Sequence, residues 1–419
     1  MLGSFAHEAL LQFSSPPVFL SVLLCAVLGA LLQFRSRSKD RTIKLKRKTG
    51  DTARTEKAVG KLGNLNHAPA RRSVRAAFQK ELENLNHPFF QESLEGVKAE
   101  EYFELNSRGV EVFTRSWMPQ SGLVKAVVFI CHGYGDTCTF FFEGVARKLA
   151  KSGYAVFGMD YPGFGLSSGL HCYVPSFNRL VEDVIENFCN IKGSISSFEL
   201  HEGHLMSPFL ARLFQMKPLE ALLRRKPEFK KLRCFLFGES MGGAVALKSH
   251  LKQPKLWDGA VLVAPMCKIA ADMYPPRLLV HVLIVLSYFF PKAKLVPEKN
   301  LADLAFRDVE KRQQTVYNVV AYKERPRLKT ALELLRATDE ISSRLQEVSL
   351  PLLILHGERD VVTDPSVSKA LHEQAKSIDK TLHIYKDAWH SVLEGEPDDV
   401  ILRAFNDIRS WLDSHSNTD

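Results

Sequence analysis

Six residues, Gly238-Glu239-Ser240-Met241-Gly242-Gly243, constrain this chain more than any others. An apolar run, Cys234-Phe235-Leu236-Phe237, precedes them, and a helix-prone run, Ala244-Val245-Ala246-Leu247-Lys248, follows. The order is strand, sharp turn, helix, with a serine at the apex. A residue at such an apex sits in a strained turn, so the positions two before and two after it must be small. Glycine alone, here Gly238 and Gly242, avoids a Cβ clash there. A G-x-S-x-G pattern between a strand and a helix is the setting in which a serine acts as an acyl-transfer nucleophile. The bare pattern also arises by chance, so the rest of the machinery has to be found elsewhere in the chain.

The surroundings supply a scaffold for it. Residues 102–105 and 111–115 flank Ser107-Arg108-Gly109 and read as a β-hairpin. Buried-strand runs follow at 126–131, 154–159, 234–237, 260–263, 352–355 and 382–385, most of them separated by helix-like segments. Strands alternating with helices predict an α/β fold with a mostly parallel sheet covered on both faces. A leading hairpin followed by parallel strands is the α/β-hydrolase order. Between Pro265 and Pro351 the alternation breaks. An apolar run at 277–290, bracketed by Pro275-Pro276 and Pro291, is too short to span a membrane and fits a cap helix lying over a site, with an ordinary core helix as the alternative.

Acyl transfer by serine needs a base, an acid to hold that base, and donors for the oxyanion. In this fold they follow in the order serine, acid, histidine. Asp360 lies in the loop after the strand at 352–355 and is the expected acid. Its rival, Asp364, precedes a proline and reads as a turn or helix start. His390 lies just past the last strand and is the expected base, whereas its rival His383 falls inside that strand. The oxyanion donors are expected to be the backbone N–H of Met241, directly after the nucleophile, and that of Tyr134 in His132-Gly133-Tyr134-Gly135-Asp136. His132 reads as a structural hydrogen-bonding group. The turn from Asp160 to Ser167 is expected to shape the floor of the site.

At these residues the sequence resembles the monoacylglycerol lipase-like serine hydrolases of plants, also called lysophospholipases. The motifs that carry the resemblance are HGYGDT, DYPGFGLSSG, GESMGGAVAL, WDGAVLVAPMCKIA, RPRLKTALELLR, HGERDVVTDP and DAWHSVLEGEP, which together reach from about Leu85 to the C-terminus. The resemblance implies a hydrolase that needs no metal or other cofactor, with a cap between the sixth and seventh core strands. It assigns Ser240, Asp360 and His390 as the triad and Tyr134 and Met241 as oxyanion donors. The same family contains caffeoylshikimate esterase, so the substrate does not follow from the fold. Two readings therefore stand among enzymes: an ester with one long acyl chain, such as a monoacylglycerol or lysophospholipid, and a phenolic ester. Acyl transfer to an alcohol is a third outcome of the same acyl-enzyme. A non-catalytic ligand receptor on this fold is the reading of a different class. One departure from the family is an insert of about thirty residues, roughly 193–225. It joins a helix to a strand, so it belongs at the sheet edge opposite the active site.

The N-terminal region stands apart. Residues 18–34 are uncharged and apolar and about long enough to cross a bilayer core. Eight basic residues against one acid follow between Arg35 and Lys48, the reverse of a cleaved signal peptide. The expectation is a single-pass anchor across residues 1–50, with the enzyme on the cytosolic side. An organelle (plastid) transit peptide is the alternative. Residues 51–95 read as a polar tether with helix-prone pieces at 74–85, ahead of the hydrolase domain at 96–419 with its cap at about 266–348. The net charge of +9 is concentrated before residue 80, which leaves the rest near neutral and argues against a nucleic-acid surface there. Seven scattered cysteines with no C-x-x-C pair read as buried thiols rather than a disulfide framework or zinc site. Partners are thus expected to be the ester or lipid substrate and a membrane; nothing in the sequence fixes the oligomeric state.

Overall fold

The computed structural model describes residues 63–79, 85, 87–89, 91, 93–193, 227–268, 277–296 and 301–416. The apolar stretch at 18–34 and all but the first residue of the 193–225 insert lie outside them. Eight strands form one sheet: β1 (Val97–Leu105), β2 (Glu111–Pro119), β3 (Val127–Cys131), β4 (Ala155–Asp160), β5 (Cys234–Glu239), β6 (Gly259–Val263), β7 (Leu352–Gly357) and β8 (Lys380–Tyr385). Their spatial order is β1-β2-β4-β3-β5-β6-β7-β8. β2 pairs antiparallel with β1 and with β4, and every later pairing is parallel. The parallel strands therefore end at one edge, and the loops that leave them are neighbours.

Alternation along the strands divides the core in two. Val127, Phe129 and Cys131 of β3 face one side, while Val128 and Ile130 face the other. The first side is covered by α3 (Phe177–Lys192), α4 (Met241–Lys252), α8 (Leu328–Ser343) and α9 (Pro365–Gln374). The second is covered by α2 (Phe141–Lys151) and α10 (Asp398–Ser416). With both faces covered, β3 to β7 are buried along their length, which is why they read as unbroken apolar runs. The β1–β2 hairpin closes at Gly109, whose φ of +71° is a conformation that glycine enters without strain. All six cysteines among the described residues are buried, and none of them forms a disulfide.

Between β6 and β7 lie α5 (Arg277–Phe289), α6 (Leu301–Ala305), α7 (Val309–Gln314) and α8. This segment touches the loops at the sheet edge. Tyr322 N–H donates to the Gly135 carbonyl (2.7 Å), and Asn318 Nδ2 to Asp136 Oδ1 (2.8 Å). Ser391 N–H donates to the Ala305 carbonyl (3.0 Å). The apolar helix α5 packs on α8 and leaves Tyr288 and Phe289 exposed at its C-terminal end.

The expected tether is corrected at its centre. Residues 68–77 form a helix, α1 (Ala68–Ala77), that is docked on the domain. Val74 and Phe78 join Phe113, Cys138, Leu166, Val319 and Val320 in a small core of their own. The helix takes in the start of the helix-prone stretch expected at 74–85, of which residues 80–84 lie outside the described residues. Its composition looks polar because three of its ten residues are arginines, but Arg71 is completely buried and acts as an interior donor. Among the described residues no helix is long and apolar enough to cross a membrane.

Candidate active site

Ser240 stands between β5 and α4 with φ +53° and ψ −118°, one of four non-glycine residues with positive φ among those described. Packing enforces this conformation. A Cβ on Gly242 would overlap the carbonyl of Cys131, and one on Gly238 would overlap the carbonyl of Gly242. The helix can approach the end of β3 that closely only without those side chains. Ser240 N–H is tied to the Val263 carbonyl (3.0 Å), and its carbonyl accepts from Gly243 (3.0 Å) and Met266 (2.9 Å). The serine is thus fixed by backbone alone, and its side chain is left half-exposed at the edge of the sheet.

Asp360 and His390 come together across thirty residues of sequence. His390 Nδ1 lies 2.7 Å from Asp360 Oδ2. That contact puts the ring proton on Nδ1 and leaves Nε2 as the basic nitrogen. The carboxylate is heavily supported. Its Oδ1 accepts the N–H groups of Val362 (2.7 Å) and Thr363 (3.0 Å). Its Oδ2 is also met by Thr363 Oγ1 (2.8 Å) and His356 Nε2 (3.0 Å). Burial alone would raise the Asp360 carboxyl, but the charge of His390 and the bonds from His356 and His390 outweigh it and hold the group far below the carboxylate range. His390 shows the reciprocal effect. Burial works against its charged form, yet the Asp360 carboxylate and, more weakly, Glu239 raise it above its ordinary 6.5.

The rivals lie elsewhere. Asp364 is the N-cap of α9, accepting from Ser366 N–H (2.8 Å). His383 lies part-exposed on β8, 3.2 Å from Asp407. His132 is buried, stacked on Tyr161 with ring centroids 4.0 Å apart, and its Nδ1 contacts the Gly133 carbonyl at 2.9 Å. Ser240 and His390 are not hydrogen-bonded to each other here; such bonds are often long in substrate-free sites and tighten with substrate. They are linked through Ala264, whose neighbour Val263 holds Ser240 and whose carbonyl meets Thr363 Oγ1 at 3.1 Å. Thr363 Oγ1 in turn lies 3.1 Å from His390 Nδ1.

The expected oxyanion donors flank the serine. Met241 is the first residue of α4, where the N–H has no intrahelical acceptor. The loop carrying Tyr134 passes over the elbow: a Cβ on Gly133 would sit 3.7 Å from Ser240 Cβ. Gly135, with φ +80°, turns the chain there.

Sequence reading passed over four residues around this site. His356 and Thr363 hold Asp360, and both stand within a few residues of it, but nothing in the chain marks them as its partners. Glu239 and Glu394 are buried side by side near His390, and burial drives both carboxyls upward. The only signal for Glu239 was an acid inside an otherwise apolar strand end. Among the described residues no group of three or more His, Cys, Asp or Glu side chains could hold a metal ion.

The chain matches the Hydrolase_4 family, described as serine aminopeptidase S33, over residues 122–195 and 219–398. The unmatched stretch falls within the segment expected to be extra. The chain is 31% identical to caffeoylshikimate esterase of Arabidopsis thaliana over 76% of its length and 86% of that protein. It is 28% identical to human monoglyceride lipase over 75% of this chain and 90% of that protein. Among solved structures, a soluble variant of Saccharomyces cerevisiae monoglyceride lipase bound to a substrate analog matches with TM-score 0.59 at 21% identity, covering 77% of this chain and 96% of that one. At that identity the structural match speaks for the fold alone.

Proposed function

The chain belongs to the Hydrolase_4 family of serine hydrolases and is a carboxylic ester hydrolase, and we propose that its substrate is an ester with one long acyl chain, a monoacylglycerol or lysophospholipid. The observation that carries the mechanism is the 2.7 Å contact between His390 and Asp360 at the sheet edge where Ser240 is held in its strained turn. In this reading His390 Nε2 takes the proton from Ser240 Oγ as the oxygen attacks the ester carbonyl. The tetrahedral oxyanion is met by the N–H groups of Tyr134 and Met241. His390 then returns the proton to the leaving alcohol, and water cleaves the acyl-enzyme by the same steps. Asp360, held far below the carboxylate range, stays ionised throughout and stabilises the imidazolium.

The apolar helix α5 supports the long-chain substrate, as do the relatives named monoglyceride lipase. The identity to the Arabidopsis esterase supports the second reading, a phenolic ester of the caffeoylshikimate type. Turnover of the purified protein on a monoacylglycerol, a lysophospholipid and caffeoylshikimate, measured side by side, decides between them. We expect the largest kcat/KM on a long-chain lipid, and a preference for caffeoylshikimate would overturn that choice. We further propose that residues 18–34 anchor the protein as a single span with the hydrolase domain in the cytosol, from their unbroken apolar character and the basic flank after them. A fusion of residues 1–50 to a fluorescent protein should mark a membrane; diffuse signal, or plastid import with cleavage, counts against it.

A further inference from the structure

We propose that Arg71, on the N-terminal helix α1 outside the region matched to the family, is a positioning residue for the oxyanion site, where it fastens the 163–169 turn behind Tyr134. The inference rests on the assignment of the Tyr134 N–H to the oxyanion.

The Arg71 side chain is completely buried. Its Nε donates to the Gly165 carbonyl (2.5 Å), and its Nη2 to the carbonyls of Ser167 (2.6 Å) and Gly169 (3.5 Å). Nη1 donates to the Leu65 carbonyl (2.9 Å). None of these contacts is to a carboxylate, and burial lowers the guanidinium to about 10. A buried charge held only by carbonyls is expensive, and an apolar residue would pack there at less cost. What the charge supplies is donors. The turn has three glycines at positive φ, Gly163, Gly165 and Gly169, and its carbonyls point inward, where each needs a partner. The planar fork of one guanidinium meets three of them at once.

The fastened turn is continuous with the oxyanion loop. Asp160, at the end of β4, accepts Leu166 N–H on Oδ2 (2.7 Å) and Cys138 N–H on Oδ1 (2.8 Å), and Thr137 Oγ1 donates to it (2.8 Å). It therefore bonds the turn to the chain that continues from Tyr134. Tyr161 OH donates to the His132 carbonyl (3.1 Å), and the Phe164 ring meets the Tyr134 ring edge-on at 6.2 Å. A second buried guanidinium repeats the link. Arg327 donates to the His171 carbonyl (3.0 Å), to Asn66 Oδ1 (2.6 Å) and to the Lys292 carbonyl (2.8 Å), joining the end of the turn to the N-terminal arm and the cap. Oxyanion donors act through fixed placement, and a shift of about 1 Å can cost 10²-fold in rate. An arm that holds the loop from behind thus reaches the chemistry without touching substrate.

The test uses the full chain with Arg71→Ala and Arg71→Lys, assayed on a soluble aryl ester. We expect kcat to fall about tenfold to a hundredfold with KM within about twofold, and millimolar guanidinium to restore part of the kcat of Arg71→Ala. Arg75→Ala, on the same helix but paired with Glu101 at the surface, should leave kcat unchanged. Full kcat in folded Arg71 variants overturns the proposal. So does a loss that follows the folded fraction with no guanidinium rescue, or failure of both variants to fold, which would make Arg71 part of the fold alone. Failure of the parent reading is visible separately, as turnover by the wild type that survives Ser240→Ala.

Discussion

Two halves of the active site are built by different means. The Ser240 elbow is set by backbone and by missing atoms: two glycines admit close approach of α4 to β3, and the serine is tied through main-chain bonds only. The Asp360–His390 half is set by side chains. Five contacts converge on one carboxylate, three of them through the side chains of Thr363, His356 and His390. A backbone device tolerates no added atom, whereas a side-chain device tolerates graded loss.

Substitutions on the two sides should show that contrast. Gly242→Ala puts a methyl into the Cys131 carbonyl, and neither backbone can yield without moving the elbow. We expect activity to be lost together with stability, the latter by at least about 1–3 kcal/mol, read by a thermal melt. Asp360→Asn should leave the fold intact and lower kcat by about 10⁴-fold, because the ring proton of His390 then loses its acceptor and the tautomer is wrong. A melting temperature that falls as far as that of the glycine variant would break the comparison. Thr363→Val removes one of the five contacts and keeps the shape, so kcat should fall only about tenfold, the scale of one hydrogen bond to a charged group.

The smallest expected effect concerns pH. His390 must be neutral to accept the serine proton, and Asp360 and Glu239 raise it above 6.5. Activity is therefore full at higher pH and lost as pH falls through that raised value. Glu239→Gln removes one of the two anions, so the acidic limb of kcat/KM should move to lower pH while the alkaline plateau stays. Burial above all, and the nearby Asp136, raise the Glu239 carboxyl and keep part of its charge suppressed, while His390 and the hydrogen bond with Glu394 work the other way, which is why the shift should be modest.

The same contrast explains what the sequence disclosed. The elbow is a local pattern of six residues between a strand and a helix, so Ser240, Gly238 and Gly242 were legible directly. The parallel sheet was legible because strands buried on both faces become unbroken apolar runs. Asp360 and His390 were legible as candidates from their places after β7 and β8. The hydrogen bonds of Thr363 and His356 to Asp360 carry no signature of type or spacing. Arg71 lay unmarked in the stretch read as a polar tether for a related reason. An arginine in a polar stretch reads as solvated, and only the carbonyls of a turn nearly a hundred residues away give it an interior role.

The central claim is that one serine, held by its backbone, forms the acyl-enzyme. Labelling the purified protein with a fluorophosphonate and mapping the adduct by peptide mass spectrometry tests it most directly. The account predicts one adduct per chain, on the peptide containing Ser240, and neither adduct nor turnover in Ser240→Ala. An adduct on another residue, with turnover surviving in Ser240→Ala, would contradict it.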